Sequence, residues 1–527
     1  MARALAYTLA ISGLVFCVSL ATSSRRRQPG TLSLPPIYGA WYLPSPIRGV
    51  IALAKLCMDE DSFLLALRRD YGQVVHIPWP LNQVLVLDGR LIRKVYRAPS
   101  SALSFAPIQH GIQTLAFGTP RRITQSAGLA RMYDAHAKGL TNLRLDAPIE
   151  RFTHVVQAKV AQLEEQIESS PAQAVEIPIV KWVVDTVFEA ATSGLYGEEF
   201  CERALEAGLR GEFGRFDRCF PLLAAEMMPV ALYAFVPRVA DGMKGREAML
   251  SVLARWVEDG LPGLDEGVIR DMAHIGSAEG YTSKEVATIL SGNFWALHAN
   301  ASYIASALLL YTVQSEILDQ VREEIDGLPQ QSGDTANPVV TLKALASMPV
   351  VTSCVQETVR TNTSSFSMRV AEEDFVLSES ASGEGGVLIH AGMRVVCATR
   401  VAHLTDGLWG DYPESWIGDR FAAKQQGDAL SAKMARKMHG FGGGISTCEG
   451  RHLAMAELKS ILTVVLAALD ITPLRHVADP RIAVKSSDAS NLWKGLQPSR
   501  DFTRPGLGAF QFGASDVMAR VTKREVS

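Results

Sequence analysis

Residues 441 to 454 read Phe-Gly-Gly-Gly-Ile-Ser-Thr-Cys-Glu-Gly-Arg-His-Leu-Ala and set one cysteine, Cys448, between a glycine-rich turn and the start of a helix. A phosphate cradle would need G-x-x-x-x-G-K-[ST], and Gly450 is followed by Arg451-His452 with no hydroxyl on the helix. That chemistry is excluded. Zinc could draw on Cys448, His452 and His439, but no second thiolate lies nearby and the small flexible residues do not preorganise a tetrahedron. A nucleophilic cysteine fits better, because backbone N–H groups at a helix start lower a thiol pKa, yet no His base stands at a characteristic spacing.

A thiolate ligand to haem iron accounts for these features together. Glycines let the backbone pass close to a flat macrocycle without Cβ clashes, helix N–H groups hold the sulfur as thiolate, and the small Ala454 lets the helix pack near the porphyrin. Such a ligand pushes electron density onto iron and favours O–O cleavage. The pattern Phe441-x-x-Gly444-x-x-x-Cys448-x-Gly450-Arg451-x-x-Ala454 resembles the haem-binding signature of the cytochrome P450 superfamily. Upstream, Glu357-Thr-Val-Arg360 in a helix opened by Pro349 looks like the family's E-x-x-R, and Pro413 to Phe421 looks like the segment whose arginine, here Arg420, completes that ion-pair triad. Taken alone, Glu357 and Arg360 are an i, i+3 pair of the kind found on any solvated helix face. The resemblance covers about residues 35 to 510.

The elements that must carry this loop are mostly helical. Apolar residues recur at helical spacing over Ile149 to Ile167, Val180 to Gly194 and Met249 to Val257. Short β-like runs appear at Val74 to Leu87, Phe375 to Leu377, Val387 to Ile389 and Met393 to Ala398. The expectation is a mainly α protein with small β-sheets, which the resemblance specifies as the cytochrome P450 fold. One helix stands out: Thr282 and Glu285 make a capping-box start, and the chain then runs to about Tyr311 without proline, roughly 43 Å. Within it His298 and Asn300 interrupt an apolar face, and buried polar side chains need partners or a task. The segment Phe220 to Val236, with Met227, Met228 and Pro229, reads equally as core or as an adaptable surface at a membrane.

Bulk properties exclude other classes. The 527 residues are 47% hydrophobic and 20% charged with a formal net charge of -3, so no basic field for nucleic acid exists. Seven scattered cysteines without C-x-x-C spacing argue against a disulfide framework. Ala4 to Thr22 is uncharged and roughly 28 Å long as a helix, about one bilayer core. Arg25, Arg26 and Arg27 follow it, which places the body in the cytosol and favours an anchor over a cleaved signal. The domain reading is an anchor over 1–24, a basic, proline-rich joint over 25–36 and one catalytic domain over 37–527.

The chain departs from the family pattern at two places. Ser446 stands where the family often has a basic partner for a haem propionate; Arg369 matches a position that commonly does this, while His136 and Lys138 are weak substitutes better read as solvent-exposed. In the long helix, Ala299 and Asn300 stand where most members carry an acid and an alcohol for proton delivery. An Asn there is similar to the sterol-hydroxylating and prostacyclin-forming branch.

The resemblance implies haem b held by Cys448, Phe441, Gly444, Gly450 and Arg369, with Asn300 and Ala299 at the catalytic face. It implies a monooxygenase at the endoplasmic reticulum membrane that oxidises a bulky apolar terpenoid, steroid-like or polyketide skeleton. Electrons would come from NADPH through a separate cytochrome P450 reductase, with cytochrome b5 as a second donor. Lys433, Arg436, Lys437 and His439 form a basic patch for that donor, or a plain solvated face. Distal contacts are expected from Trp295, Ala299 and Asn300, from Ser365 to Met368 and from Ser487 to Asn491. The alternative is a reductase-independent isomerase or dehydratase acting on a peroxide.

Overall fold

Apolar residues at helical spacing build helices first, and these form most of the described protein. The structure is a computed structural model that describes residues 32–226, 230–330, 338–380, 385–422, 429–476, 506–511 and 517–525. Ten helices carry the argument: α1 (Ala106–Leu115), α2 (Ala127–Gly139), α3 (Asp146–Ser169), α4 (Ile179–Tyr196), α5 (Leu209–Ala224), α6 (Pro237–Glu258), α7 (Ser283–His298), α8 (Ala301–Val313), α9 (Pro349–Asn362) and α10 (Arg451–Ala468). The three predicted helices appear as α3, α4 and α6, each longer than its apolar stripe. One large core runs through all of them, with Val156, Val183, Phe294, Leu308 and Val465 wholly buried. A helix such as α8, buried nearly all round, has nowhere to sit but the middle of the bundle.

Among the described residues the strands make three sheets. In the largest, β1 (Val74–Ile77), β2 (Gln83–Val86), β8 (Arg394–Ala398), β5 (Thr363–Ala371) and β10 (Leu507–Ala509) lie in that order, and β3 (Leu103–Ser104) pairs with β5. Among its described strands only β2 and β8 run parallel. A second sheet orders β4 (Val175–Pro178), β11 (Val517–Lys523) and β9 (Leu469–His476), and β6 (Phe375–Leu377) pairs with β7 (Val387–Ile389). The mainly α expectation with small sheets is met.

The capping box is present: the Thr282 hydroxyl accepts from Glu285 N–H at 3.3 Å, and the Glu285 carboxylate accepts from Thr282 N–H at 3.0 Å. The single long helix is not. It stops at His298, and Asn300 (φ −128°, ψ −50°) leaves helical geometry before α8 begins. No proline or glycine causes this; the Asn300 Oδ1 accepts the Ala509 N–H of β10 at 2.9 Å, so a contact from the sheet holds the break open.

Candidate active site

The loop ahead of α10 presents Cys448 to a cavity of about 410 Å³. It closes on itself, with Cys448 N–H donating to Phe441 O and Ala454 N–H to Gly450 O, both at 2.9 Å. Phe441, Gly450, Leu453 and Ala454 line the cavity beside the sulfur. Cys448 is exposed, but to this cavity, and the protein packed around the sulfur pushes the thiol pKa up. Burial outweighs the Gly450 N–H and Arg451, which pull it down, while Glu449 adds to the rise. The sequence argument expected a thiolate held by the helix start alone; in the bare protein burial wins, and a coordinated metal is what strips such a thiol of its proton.

The glycines divide their work differently from expectation. Gly444 adopts φ +60°, and a Cβ there would lie 2.2 Å from Tyr96 O. At Gly443 a Cβ would lie 2.3 Å from the Tyr96 ring. These two therefore let the loop cross Tyr96, and Gly444 does not line the cavity; Gly440, Gly442 and Gly450 do.

Behind the loop, Glu357 and Arg360 on α9 are wholly buried, not on a solvated face. The Arg360 guanidinium donates twice to the Glu357 carboxylate at 2.7 Å, Arg420 Nε adds a contact to Oε1 at 2.8 Å, and Ile417 N–H donates to the same oxygen at 3.0 Å. Arg360 also donates to His403 O and Ser415 O. A buried ion pair of this kind fixes geometry, and breaking one partner strands the other charge.

Arg369 is buried and donates to Met368 O at 2.7 Å and Gly443 O at 3.1 Å, with its guanidinium over the Tyr96 and Phe105 rings. Burial pulls its pKa down. It lies behind the cavity wall and holds the glycine loop. In the wall itself the Ser446 and Ser367 hydroxyls meet at 2.9 Å. Lys138 is solvent-exposed as expected, paired with Asp134. His136 is not: its side chain is 16% exposed, lines the cavity and contacts Glu449, because α2 packs that face toward the loop.

The opposite wall is mostly apolar. Phe105, Ile112, Phe220, Ala224, Trp295 and Leu507 line it. Trp295 stacks on Phe220 at 3.7 Å and donates to Asp217 at 2.8 Å. Asn300 and the expected Ser365 to Met368 face the cavity; Ala299 does not, being buried at the end of α7. His298 points into the aromatic core, its ring 4.2 Å from that of Phe188 and tilted to it, with Nε2 3.1 Å from Thr192 Oγ1, and burial drives its pKa well down. It is structural. Ser487 to Asn491 and Met227 to Pro229 lie outside the described residues; of the segment around the latter, Phe220 is core while Val230, Leu232 and Phe235 are exposed.

Sequence reasoning missed Phe105, Ile112 and Glu457 in the cavity lining. Glu457 sits three residues past Ala454, so helical period alone places it on the same face.

The donor set fits a haem. No group of three or more His, Cys, Asp or Glu able to hold a metal occurs among the described residues. A metal meeting Cys448, the one cysteine among the described lining residues, must bring its remaining ligands with it, as a macrocycle does. Residues 258–495 match the family model described as Cytochrome P450. The chain is 25% identical to Cytochrome P450 7A1 of Sus scrofa over 523 residues, 93% of this chain and 96% of that protein. It is 24% identical to Cytochrome P450 7B1 of Mus musculus, covering 88% and 90%, and 25% identical to the 5-beta-cholestane-3-alpha,7-alpha-diol 12-alpha-hydroxylase of Sus scrofa, covering 60% and 63%. Along most of its length the chain is thus similar to cytochrome P450 enzymes.

Proposed function

We propose that this enzyme is a membrane-anchored haem-thiolate monooxygenase that hydroxylates or otherwise oxidises a bulky hydrophobic molecule, steroid-like before terpenoid or polyketide. The carrying observation is one cavity with a single cysteine among its described lining residues, Cys448, on one side and an apolar wall of Phe105, Phe220, Trp295 and Leu507 on the other. A haem bound to Cys448 supplies dioxygen activation, with one oxygen atom inserted and the other released as water. Ser367, Ser446 and His136 would meet its polar edge, while Arg369 keeps the loop in place. Glu357, Arg360 and Arg420 fix the loop from behind. The apolar wall excludes water and orients the substrate, and the likeness to a 5-beta-cholestane-3-alpha,7-alpha-diol 12-alpha-hydroxylase supports a sterol-sized skeleton.

Electrons would come from NADPH through a separate reductase, with cytochrome b5 as a second donor. Lys433 and Arg436 are exposed on the helix Ala429–Lys437 and suit an acidic donor. Lys437 is tied to Asp406 at 3.0 Å and His439 is buried, so the patch is smaller than the sequence implied. The anchor segment lies outside the described residues, among which no helix is long and apolar enough to cross a membrane. Exposed Leu32, Leu34, Trp41 and Tyr42 near the start, and Val230, Leu232 and Phe235, are consistent with a body that rests on the cytosolic face of the endoplasmic reticulum.

The test is spectroscopic. The purified, dithionite-reduced protein under carbon monoxide should show the red-shifted band of thiolate ligation, and 5β-cholestane-3α,7α-diol should displace the iron-bound water in a titration. A globin-like band defeats the haem-thiolate reading; no spectral response to this sterol defeats the steroid-like preference alone. Strict dependence of turnover on NADPH and oxygen excludes the peroxide-isomerase alternative.

A further inference from the structure

Asp217 stands where three cavity-forming segments meet. It lies on α5 and is 3% exposed, a costly place for a carboxyl unless its oxygens are held. Both are. Trp295 Nε1–H on α7 donates to Oδ1 at 2.8 Å, and Gln511 Nε2–H, from two residues past the end of β10, donates to Oδ2 at 2.7 Å. Gln511 is itself buried. Asp217 is behind the cavity wall, while Trp295 and Phe220, the latter one turn on along α5, line it.

An indole has one polar edge, and a buried tryptophan takes the orientation that gives its N–H a partner. Here that partner is Asp217, and in this orientation the ring lies flat on Phe220, with centroids 3.7 Å apart and planes 20° from parallel. Phe117, buried, supports the pair from 5.8 Å and 6.3 Å. The indole N–H is thus engaged outside the cavity, and the ring is left as apolar wall. The same junction fixes the strand opposite: Asn300 holds Ala509 N–H at 2.9 Å, and Asp217 holds Gln511 two residues on. Without the Asp217 oxygens, Trp295 N–H loses this acceptor and the ring gains freedom to turn.

Resting on the haem-thiolate reading, we propose that Asp217 is a positioning residue for the substrate: acting through Trp295, it holds Trp295 and Phe220 as one preorganised aromatic face against which a large, rigid apolar skeleton is set. A face fixed before binding spares the ordering of two side chains when the ligand arrives. A molecule too small to reach that face is indifferent to Asp217; a bulky one is not.

The experiment titrates the full-length haem-loaded protein with imidazole and with clotrimazole, an imidazole carrying a bulky triaryl group, and follows the haem absorbance as the ring nitrogen replaces water on iron. The parent should bind clotrimazole far more tightly than imidazole. Asp217→Ala should weaken clotrimazole about tenfold, the scale of ordering one or two side chains, and leave imidazole unchanged. Trp295→Phe should do the same, and the double variant should be no weaker than either single one, because both remove one device. Asp217→Asn should keep most of the affinity, since its carbonyl can accept the Trp295 N–H and its amide can donate to a turned Gln511. In protein carrying isotope-labelled tryptophan, the indole N–H resonance missing from Trp295→Phe should exchange slowly with solvent in the parent and rapidly in Asp217→Ala. A merely structural Asp217 weakens both ligands alike, with additive losses in the double variant. That result, an unchanged clotrimazole affinity in Asp217→Ala, or a parent that prefers imidazole overturns the proposal. Should Asp217→Ala not fold, an unaltered clotrimazole affinity in Trp295→Phe or a rapidly exchanging indole in the parent overturns it instead. A parent without the thiolate carbonyl band defeats the haem reading, a distinct failure.

Discussion

Glu357 and Glu457 sit on α9 and α10, helices that pack against each other, and both are buried. Around Glu357 the fold gathers two guanidiniums and a backbone N–H within 3.0 Å of its oxygens. Around Glu457 it gathers none, and burial leaves the acid neutral. The first arrangement spends charge to hold α9 against the segment Trp409 to Arg420; the second leaves an unpaired carboxyl at the cavity. The same side chain thus serves as an ion-paired strut or sits as a lone carboxyl according to whether arginines reach it.

Replacing Cys448 by Ala breaks the comparison at its root. It should abolish the thiolate carbonyl band and turnover altogether, measured on freshly purified protein. Glu357→Gln comes next. It leaves Arg360 and Arg420 without their counter-charge, at a cost of about 3–5 kcal/mol, seen as lost haem and a lower denaturation midpoint. Glu457→Gln should act with the opposite sign. A carboxyl whose pKa is raised in the native state binds more protons folded than unfolded, so its penalty grows as pH climbs from 4.5 to about 8 and is absent below that window. The Gln variant should therefore be more stable by up to about 3 kcal/mol at pH 7.5 and by almost nothing at pH 4.5; equal gains at both values would refute a neutral Glu457. Smallest is Asn300→Ala. It strands Ala509 N–H at a cost of about 1 kcal/mol, and hydrogen exchange at β10 should quicken without loss of haem.

The two walls were unequally legible. The cysteine loop, the Glu357 and Arg360 pair and the Arg420 segment could be read because each is local, a few residues at fixed spacing. Burial of that pair was not legible, since an i, i+3 ion pair looks alike on a surface and in a core. The break at Ala299 and Asn300 could not be foreseen either, because its cause is a hydrogen bond from β10, 209 residues away. Strand β5, at Thr363–Ala371, is absent from the β-like runs for a related reason: its serines and threonines give no apolar alternation, and β8 and β10 pairing with its edges is what makes it a strand. Glu457 lay on an expected helix face, and only the cavity made it conspicuous.

The exposure of Cys448 has a practical corollary. Every other cysteine among the described residues is buried or partly covered. A small alkylating reagent should consequently modify residue 448 in cofactor-free molecules and spare those whose sulfur is ligated, so mass spectrometry of a labelled preparation counts its loaded fraction directly.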